Sequence, residues 1–515
     1  MNFMNAVKNT LDNEMNISVT ENGAVGYKTS GKALLDLNFS VTSLRNMPDK
    51  AVADKFMRAF VEDKILAMKW LFYARDVRGG LGERRLLRVV MSYLIKSNPE
   101  MVLPVITLIP EYGRYDDLWC LLSNPDAAKL ICAYVDATLR KDWHDMLAGK
   151  PISLLAKWMP SINASSAQTK KYGKQLCRAL RMAEADYRKS LSRMRKYIDV
   201  VERKMSAKQW EQIKYEAVPS RANLIYNSAF LRNDEARRRE FLFKLEMGET
   251  KINASTLYPH DIAYKYCNGL CGMRPYDPTI EALWKALPDT VKGCGNTIVV
   301  ADGSGSMCSY VGNTQVSALT VANALAIYFA EHSSGQFKDK YITFSENPQF
   351  VDFSHAKTLH HKLQIAKKYN EVANTNIEKV FNLILDTAIS NHMSQEDLPK
   401  NILIISDMEF DSCATAGDRN HYGYYNNKPD ARLFTVIENR FKAAGYKMPR
   451  LVFWNLCSRT GTVPVKENDL GVALVSGFSV NVVKMVMSGK TDPFECLLET
   501  LNSERYAPIE AALKE

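Results

Sequence analysis

Two short apolar runs in the second half of the chain each end in an aspartate, namely Thr297-Ile-Val-Val-Ala-Asp302 and Asn401-Ile-Leu-Ile-Ile-Ser-Asp407. They lie in a region where short β-rich runs alternate with helical stretches, and this alternation is typical of a mostly parallel sheet covered by helices. Ligands bind such sheets at the carboxyl ends of the strands. We therefore predict a C-terminal α/β domain of the Rossmann-like, doubly wound class, with both aspartates on its ligand-binding edge.

The same alternation sets the boundaries of the predicted elements. The predicted strands are Thr297–Asp302, Lys340–Phe344, Gln349–Phe353, Ile402–Asp407, Arg450–Leu456 and Ala473–Ser476. The predicted helices of this region are Val316–His332, Ile377–Asn391, Arg432–Ala444 and Val480–Met487.

The loop after the first run carries hydroxyl groups close to the aspartate. Ser304 and Ser306 follow Asp302, and glycines alternate with them, which allows a tight turn. One carboxylate and two hydroxyls suit Mg²⁺, which takes oxygen ligands at about 2.0–2.1 Å. The alternative is that Asp302 and Asp407 only cap helices and turns, as aspartate often does.

An Asp-x-Ser-x-Ser loop after a strand resembles the metal-ion-dependent adhesion site (MIDAS) of von Willebrand factor A (vWA) domains. That family also has a threonine on a second loop, matched here by Asn374-Thr375-Asn376, and an aspartate after a later strand. The resemblance implies that Mg²⁺ or another divalent cation is bound by Asp302, Ser304, Ser306, Thr375 and Asp407. Neutral hydroxyl ligands without a general base favour capture of an external carboxylate or phosphate over catalysis, so we expect no catalytic residues and no enzyme activity.

The first part of the chain has a different pattern. Residues 1–30 are polar and Asn-rich, and we predict that they form a flexible leader. We predict a helical-repeat domain over residues 31–290 and the vWA-like domain over residues 291–515. Helical segments with Gly- or Pro-marked turns indicate stacked helix pairs in a HEAT-like, solenoid-like arrangement, although no strict repeat is present. The predicted helices include Ala51–Tyr73, Leu86–Ile95, Asp126–Leu147 and Tyr172–Lys196.

Positive charge is concentrated in this helical part. Residues 1–300 hold 46 Lys and Arg against 33 Asp and Glu, whereas residues 301–515 hold 21 against 24. The asymmetry indicates a polyanionic partner, RNA being the one we expect, although solvated helix surfaces would also explain it. The densest basic block is Lys170, Lys171, Lys174, Arg178, Arg181, Arg188, Lys189, Arg193, Arg195 and Lys196.

A second basic cluster surrounds the Gly-rich turn at residues 79–82. Its members are Arg75, Arg78, Arg84 and Arg85. Guanidinium groups beside glycine backbone could hold RNA phosphates. The alternative, which we favour, is a connection between two helices with charged ends; the Lys-Ser/Thr ending of a Walker A loop is missing.

Several short sequence segments resemble those of an uncharacterised domain-of-unknown-function family, which pairs a helical domain with a vWA-like domain. They are residues 73–84, 113–118, 155–160, 218–220, 251–253 and 259–260. The architecture is also similar to that of the Ro autoantigen and its relatives (TROVE plus vWA), which implies RNA binding. The other function kept open is a protein-interaction scaffold, in which a partner's carboxylate completes the metal shell. No secretory signal or membrane-spanning run is visible, so we expect a cytoplasmic protein with no membrane partner.

Overall fold

The computed structural model describes residue 4 and residues 15–21, 25–268, 272–291, 296–312, 314–345, 347–370, 377–409, 433–464, 472–483 and 492–514. It divides the chain into two compact units. The α/β unit comprises Met1–Pro48 and Leu257–Thr500, and the helical unit comprises Asp49–Thr256 and Leu501–Glu515. The predicted combination of a helical region with an α/β region is confirmed.

The described α-helices follow the chain in order. They are α1 (Ala33–Phe39), α2 (Asp49–Glu62), α3 (Lys64–Arg75), α4 (Arg84–Ser97), α5 (Pro99–Val102), α6 (Ile109–Tyr112), α7 (Pro125–Leu147), α8 (Leu155–Trp158), α9 (Ala167–Ala179), α10 (Glu184–Tyr197), α11 (Val201–Ser206), α12 (Ser220–Asn233), α13 (Glu235–Glu246), α14 (Pro259–Ala263), α15 (Pro278–Lys285), α16 (Ala318–His332), α17 (Leu359–Lys368), α18 (Ile377–Ser390), α19 (Leu433–Ala443), α20 (Pro493–Leu501) and α21 (Ala507–Lys514).

The described strands form one large sheet and two small ones. They are β1 (Ile17–Val19), β2 (Val25–Tyr27), β3 (Cys267–Asn268), β4 (Gly272–Met273), β5 (Thr297–Asp302), β6 (Lys340–Phe344), β7 (Phe350–Asp352), β8 (Asn401–Ser406), β9 (Arg450–Asn455) and β10 (Val472–Ser476). The large sheet has the order β10-β9-β8-β5-β6-β7. All its pairings are parallel except that of β6 with β7.

The centre of this sheet is buried because its strands are continuous apolar runs, as expected for parallel strands covered by other elements. Residues 402–405 of β8 are fully buried, and α16 packs across β5, β6 and β8. The strand boundaries agree with the sequence prediction to within one residue. Helix α17 was not among the predicted elements.

The unit boundaries differ from the predicted ones because the first 48 residues belong to the α/β unit and the last 15 residues belong to the helical unit. Helix α1 buries three leucines, Leu34, Leu35 and Leu37, and packs on β10 of the α/β unit. Helix α14 packs on α16 of the same unit, although residues 257–290 were expected to belong to the helical domain. At the other end of the chain, α21 packs on α3 of the helical unit.

The described part of residues 1–30 also differs from the expected flexible leader. Strands β1 and β2 pair antiparallel, with Ile17 opposite Tyr27. Tyr27 and Val463 then exchange two backbone hydrogen bonds of 2.8 Å each. The hairpin is therefore fixed by a partner more than 400 residues away in the sequence.

In the helical unit, consecutive helices pack on one another, such as α2 on α3, α9 on α10 and α12 on α13. The single helix predicted over residues 51–73 is two helices, α2 and α3. The Asp63 carboxylate between them accepts a 2.8 Å hydrogen bond from the Leu66 amide, so Asp63 is the N-cap of α3. The helix predicted over residues 172–196 is likewise divided into α9 and α10, and Arg181 between them has φ of 53°.

We find no helix in the described ranges that is long and apolar enough to cross a bilayer.

Candidate metal centre and basic helical face

The two predicted aspartates lie side by side at the carboxyl edge of the large sheet. Asp302 is the last residue of β5, and Asp407 directly follows β8. The register pairs Ala301 with Ile405, which places Ser406 next to Asp302. The Ser406 hydroxyl donates a 2.6 Å hydrogen bond to Asp302 Oδ2.

The loop after β5 brings both predicted hydroxyls to this edge. The Ser304 amide donates to Asp302 Oδ1 at 2.8 Å, which closes a tight turn around the carboxylate. The hydroxyls of Ser304 and Ser306 are 2.9 Å apart. Three of the five predicted ligands therefore belong to one compact loop.

Asp407 completes this group from the neighbouring strand. Its side chain is buried, and Oδ1 accepts a 3.1 Å hydrogen bond from the Glu409 amide. Oδ2 is also buried and has no hydrogen-bond partner among the residues that the structure describes. The nearest cation in the described part is Arg459, whose Nη2 lies 3.6 Å from this oxygen.

Burial determines the electrostatics of the pair. It raises the pKa of Asp302 well above its usual range, and the negative charge of Asp407 acts in the same direction. Burial also raises the pKa of Asp407, against hydrogen bonding from Ser306 and the charge of Arg459. When two carboxyl groups are buried side by side, ionisation of both is unfavourable, and a bound cation would offset this cost.

The donor set fits a hard divalent cation. Two carboxylates and two hydroxyls meet at one place, and one carboxylate oxygen is buried without a hydrogen bond in the described structure. In the described ranges, no group of three or more His, Cys, Asp or Glu side chains is placed to hold a metal ion. The predicted set has only two such residues and depends on hydroxyl oxygens for the others. The fifth predicted ligand, Thr375, lies outside the described residues.

Glu409, two residues after Asp407, is buried and organises the surrounding loops. Its carboxylate accepts hydrogen bonds from the amides of Glu21, Arg459 and Thr460 and from the hydroxyls of Ser458 and Thr460. Burial would raise the pKa of Glu409, but these hydrogen bonds outweigh it and lower the pKa. Glu409 thereby holds Arg459 beside Asp407, where Arg459 also pairs with Glu21 at 2.6 Å. The only sequence signal was an acidic residue two positions after Asp407.

The basic block lies on α9, the turn that follows it, and α10, and most of it is exposed. The exposed members are Lys170, Lys171, Lys174, Arg178, Arg181, Arg188, Lys189, Arg193 and Lys196. Among them, Lys174 approaches Glu184 at 3.8 Å, and the Arg193 guanidinium lies 5.0 Å from the centre of the Trp143 ring. The other seven have no ion-pair partner in the described structure.

Arg195 differs from its neighbours in the block. Its Nε and Nη2 donate to the carbonyls of Ala156 and Met159, both at 2.8 Å, and Nη1 donates to the Ser161 hydroxyl at 3.1 Å. Burial lowers the pKa of this guanidinium. Arg195 therefore fixes the segment after α8. The prediction that its donors bind RNA is wrong, because these donors are already used within the chain.

The arginines around the Gly-rich turn are paired with carboxylates or carbonyls. Arg75 is buried and binds Asp117 through Nε at 2.8 Å and Nη2 at 2.7 Å. Arg84 binds Asp116, Arg85 binds Asp49, and Arg78 donates to the Glu111 carbonyl at 2.8 Å. The structure thus places Arg75 where RNA cannot reach it and gives this cluster the connecting role that we favoured.

Two family profiles match the chain. One, described as a domain of unknown function (DUF7788), matches residues 296–507, and the other, a domain of unknown function (DUF2828), matches residues 135–296. Their matches meet at residue 296, immediately before β5 begins.

A relative of this chain is the uncharacterised protein L728 of Acanthamoeba polyphaga mimivirus. The two are 28% identical over 540 residues, which cover 96% of this chain and 89% of the relative. Among solved structures, the crystal structure of the Deinococcus radiodurans Ro (RSR) protein is similar, with a TM-score of 0.46 and 15% identity, over 84% of this chain and 92% of that one.

Proposed function

We propose that this protein binds RNA through the exposed basic face of its helical unit and carries a divalent-cation site, of the vWA type, in its α/β unit. The observation that carries the proposal is the set of seven exposed cations on α9, α10 and the turn between them that have no acidic partner in the described structure. They are Lys170, Lys171, Arg178, Arg181, Arg188, Lys189 and Lys196. Such cations suit the phosphates of a polyanion.

The distribution of charge between the two units supports this face as the RNA-binding surface. The helical unit contains 40 Lys and Arg against 28 Asp and Glu, and the α/β unit contains 27 against 29. The entire positive excess therefore lies in the helical unit.

The contrast with the Gly-rich turn argues against a merely solvated surface. Around that turn, Arg75, Arg84 and Arg88 are matched by Asp116 and Asp117. On α9, by contrast, Lys170, Lys171 and Arg178 face solvent without such partners. Around the turn the fold supplies carboxylates for these three arginines, whereas on α9, α10 and the turn between them seven cations have no acidic partner in the described structure.

In the α/β unit, Asp302, Ser304, Ser306 and Asp407 would hold Mg²⁺, with Thr375 proposed as a further ligand. A bound Mg²⁺ supplies a positive centre that attracts an anionic group. Arg459 stands 3.6 Å from Asp407 and adds a second positive charge at the same place. The proposal is a binding role without catalysis, and a cytoplasmic location fits an RNA partner.

Filter binding of a labelled single-stranded RNA at 50 mM and 200 mM salt tests the proposal. Lys170→Gln, Lys171→Gln and Arg178→Gln are combined in one variant. The matched control combines Lys50→Gln, Arg140→Gln and Arg239→Gln, which removes three exposed cations that already pair with acids four residues away. Asp302→Ala is measured alongside.

We expect the basic-face variant to lower the salt slope by about 2, since each phosphate contact of a single strand contributes about 0.7. The control should keep the slope of the natural protein. Absence of salt-dependent RNA binding by the natural protein would overturn the proposal. If Mg²⁺-dependent binding of an acidic peptide were seen instead, and were lost in Asp302→Ala, the α/β unit would be a protein-interaction module.

A further inference from the structure

A groove of about 490 Å³ lies beside α10 in the helical unit. Its walls come from α8 and the turn after it, from α10, and from α11 with the residue before it. The lining residues are Lys157, Ser161, Ile162, Asn163, Tyr187, Arg188, Leu191, Ser192, Arg195, Val200, Glu202, Arg203 and Ser206. Its volume is within the usual range for small-ligand sites.

The floor and the rim of the groove have different chemistry. Ile162, Tyr187 and Leu191 are buried and provide an apolar floor. The hydroxyl of Tyr187 donates to the Pro160 carbonyl at 2.9 Å, so it is already used and the floor stays apolar. Hydroxyls and an amide surround this floor, and four basic side chains oppose a single acid, Glu202.

Two of the basic side chains have donors to offer. Arg188 on α10 and Arg203 on α11 have no ion pair or side-chain hydrogen bond with the part of the chain that the structure describes. Nε of Arg203 is buried and without an acceptor there. An unsatisfied buried donor is unfavourable, and in native proteins it calls for an explanation such as an absent ligand.

The remaining basic residues of the groove, Arg195 and Lys157, differ in how they are held. Arg195 is fixed by its three hydrogen bonds to Ala156, Met159 and Ser161. Lys157 lies 5.6 Å from the centre of the Trp158 ring. Arg195 is therefore fixed in the wall, whereas Arg188 and Arg203 are the two guanidinium groups of the lining whose donors are unused in the described structure.

We propose that this groove holds one nucleotide of single-stranded RNA, with its phosphate on Arg188 and Arg203 and its base against Ile162 and Leu191. An apolar floor beside two guanidinium groups matches a nucleotide, which has an apolar face and an anionic end. A base within a duplex is stacked and cannot enter, so the groove selects unpaired RNA. This inference rests on the proposed function for the identity of the strand, whereas the nucleotide site stands on the groove itself.

The test combines Arg188→Gln with Arg203→Gln and compares this groove variant with Lys50→Gln combined with Arg239→Gln, two exposed cations that already pair with acids. Both variants remove two cations of the helical unit, but the second pair does not line the groove. Each protein is titrated with a labelled ten-nucleotide RNA and, separately, with each of the four ribonucleoside 5′-monophosphates by ligand-observed NMR. Circular dichroism checks the folding of each variant. Arg188→Lys with Arg203→Lys, which keeps the charge, is the second variant.

We expect at least one monophosphate to bind the natural protein and the Lys50/Arg239 variant and to bind the groove variant about tenfold more weakly. The lysine variant should recover part of that loss. If the ten-nucleotide RNA binds but the two glutamine variants behave alike towards monophosphates and RNA, the groove proposal is overturned and RNA binding stands. If the RNA does not bind the natural protein, the proposed function fails. Monophosphate binding that depends on Arg188 and Arg203 would then still support the groove, and its absence would overturn the groove as well.

Discussion

Arg75 and Asp117 form a fully buried ion pair in the helical unit, with Arg75 Nη2 2.7 Å from Asp117 Oδ2. The same carboxylate also accepts hydrogen bonds from Nε of Arg88 at 2.7 Å and from the amide of Arg114 at 3.1 Å. One acid thus joins α3, α4 and the turn after α6.

Replacing Asp117 by alanine should destabilise the helical unit by about 3–5 kcal/mol, because it leaves the buried Arg75 without its counter-charge. Urea unfolding monitored by circular dichroism measures the change. Asp54→Ala, which breaks an exposed pair with Lys50, is the control and should have little effect on stability. A loss for Asp117→Ala no larger than that of the control would contradict the role given to this carboxylate.

The pair of Asp76 with Arg505 predicts a pH dependence of stability. Burial opposes ionisation of Asp76, but hydrogen bonds from Arg505 and nearby amides outweigh it and lower the pKa of Asp76 below its ordinary value of 3.8. A lowered pKa in the folded state contributes stability above the ordinary pKa, and this stability is lost as pH falls through the folded-state value.

Asp76→Asn should therefore destabilise the protein at pH 7 and destabilise it less at pH 3, which lies below the ordinary pKa of 3.8. The difference in the free energy of unfolding between the natural protein and this variant, measured at both pH values, checks the sign. Asp54→Asn serves as the exposed control. A difference that grows on acidification would show that the Asp76 pKa is raised and not lowered.

Mg²⁺ should raise the melting temperature of the natural protein in a concentration-dependent way, because a ligand that binds only the folded state stabilises it by mass action. Asp407→Asn should abolish the shift. Without Mg²⁺ this variant should be at least as stable as the natural protein, since it removes one of two adjacent buried acids. Asp397→Asn, at an exposed turn of the same unit, should keep the full shift. An unchanged Mg²⁺ effect in Asp407→Asn would exclude this carboxylate as a ligand.

Glu409→Gln should loosen the loop at residues 458–460 and the neighbouring part of the β1–β2 hairpin. The neutral amide cannot replace a carboxylate that accepts several hydrogen bonds, and each unsatisfied donor costs about 1–3 kcal/mol. Hydrogen exchange should speed up at the amides of Glu21, Arg459 and Thr460. Glu396→Gln, which is exposed, provides the comparison. If the three amides keep their protection, Glu409 does not organise this loop.

The sequence was sufficient to locate elements that their own pattern of apolar residues identifies. Strands β5 and β8 were located because unbroken apolar runs with β-branched residues identify buried parallel strands. Their shared edge then predicted that Asp302, Ser304, Ser306 and Asp407 would meet, and in the structure they do.

Features that depend on distant partners were not predictable. The three-residue strands of the hairpin are held by Val463, and nothing in residues 17–27 indicates that contact. Arg75 was a candidate phosphate ligand by its position beside the Gly-rich turn, and nothing in the sequence indicated its burial against Asp117. The division between α2 and α3 was missed because the apolar period continues across Asp63, whose capping bond ends one helix and starts the next.

The RNA-binding surface that we propose consists of α9, α10 and the groove beside α10. Photo-crosslinking of a 4-thiouridine-labelled single-stranded RNA to the full chain, followed by mass spectrometry of the peptides, tests it most directly. We predict crosslinks within residues 157–206, and their loss at high salt. Crosslinks confined to residues 296–464, or none at low salt, would show that RNA does not bind at α9, α10 or the groove.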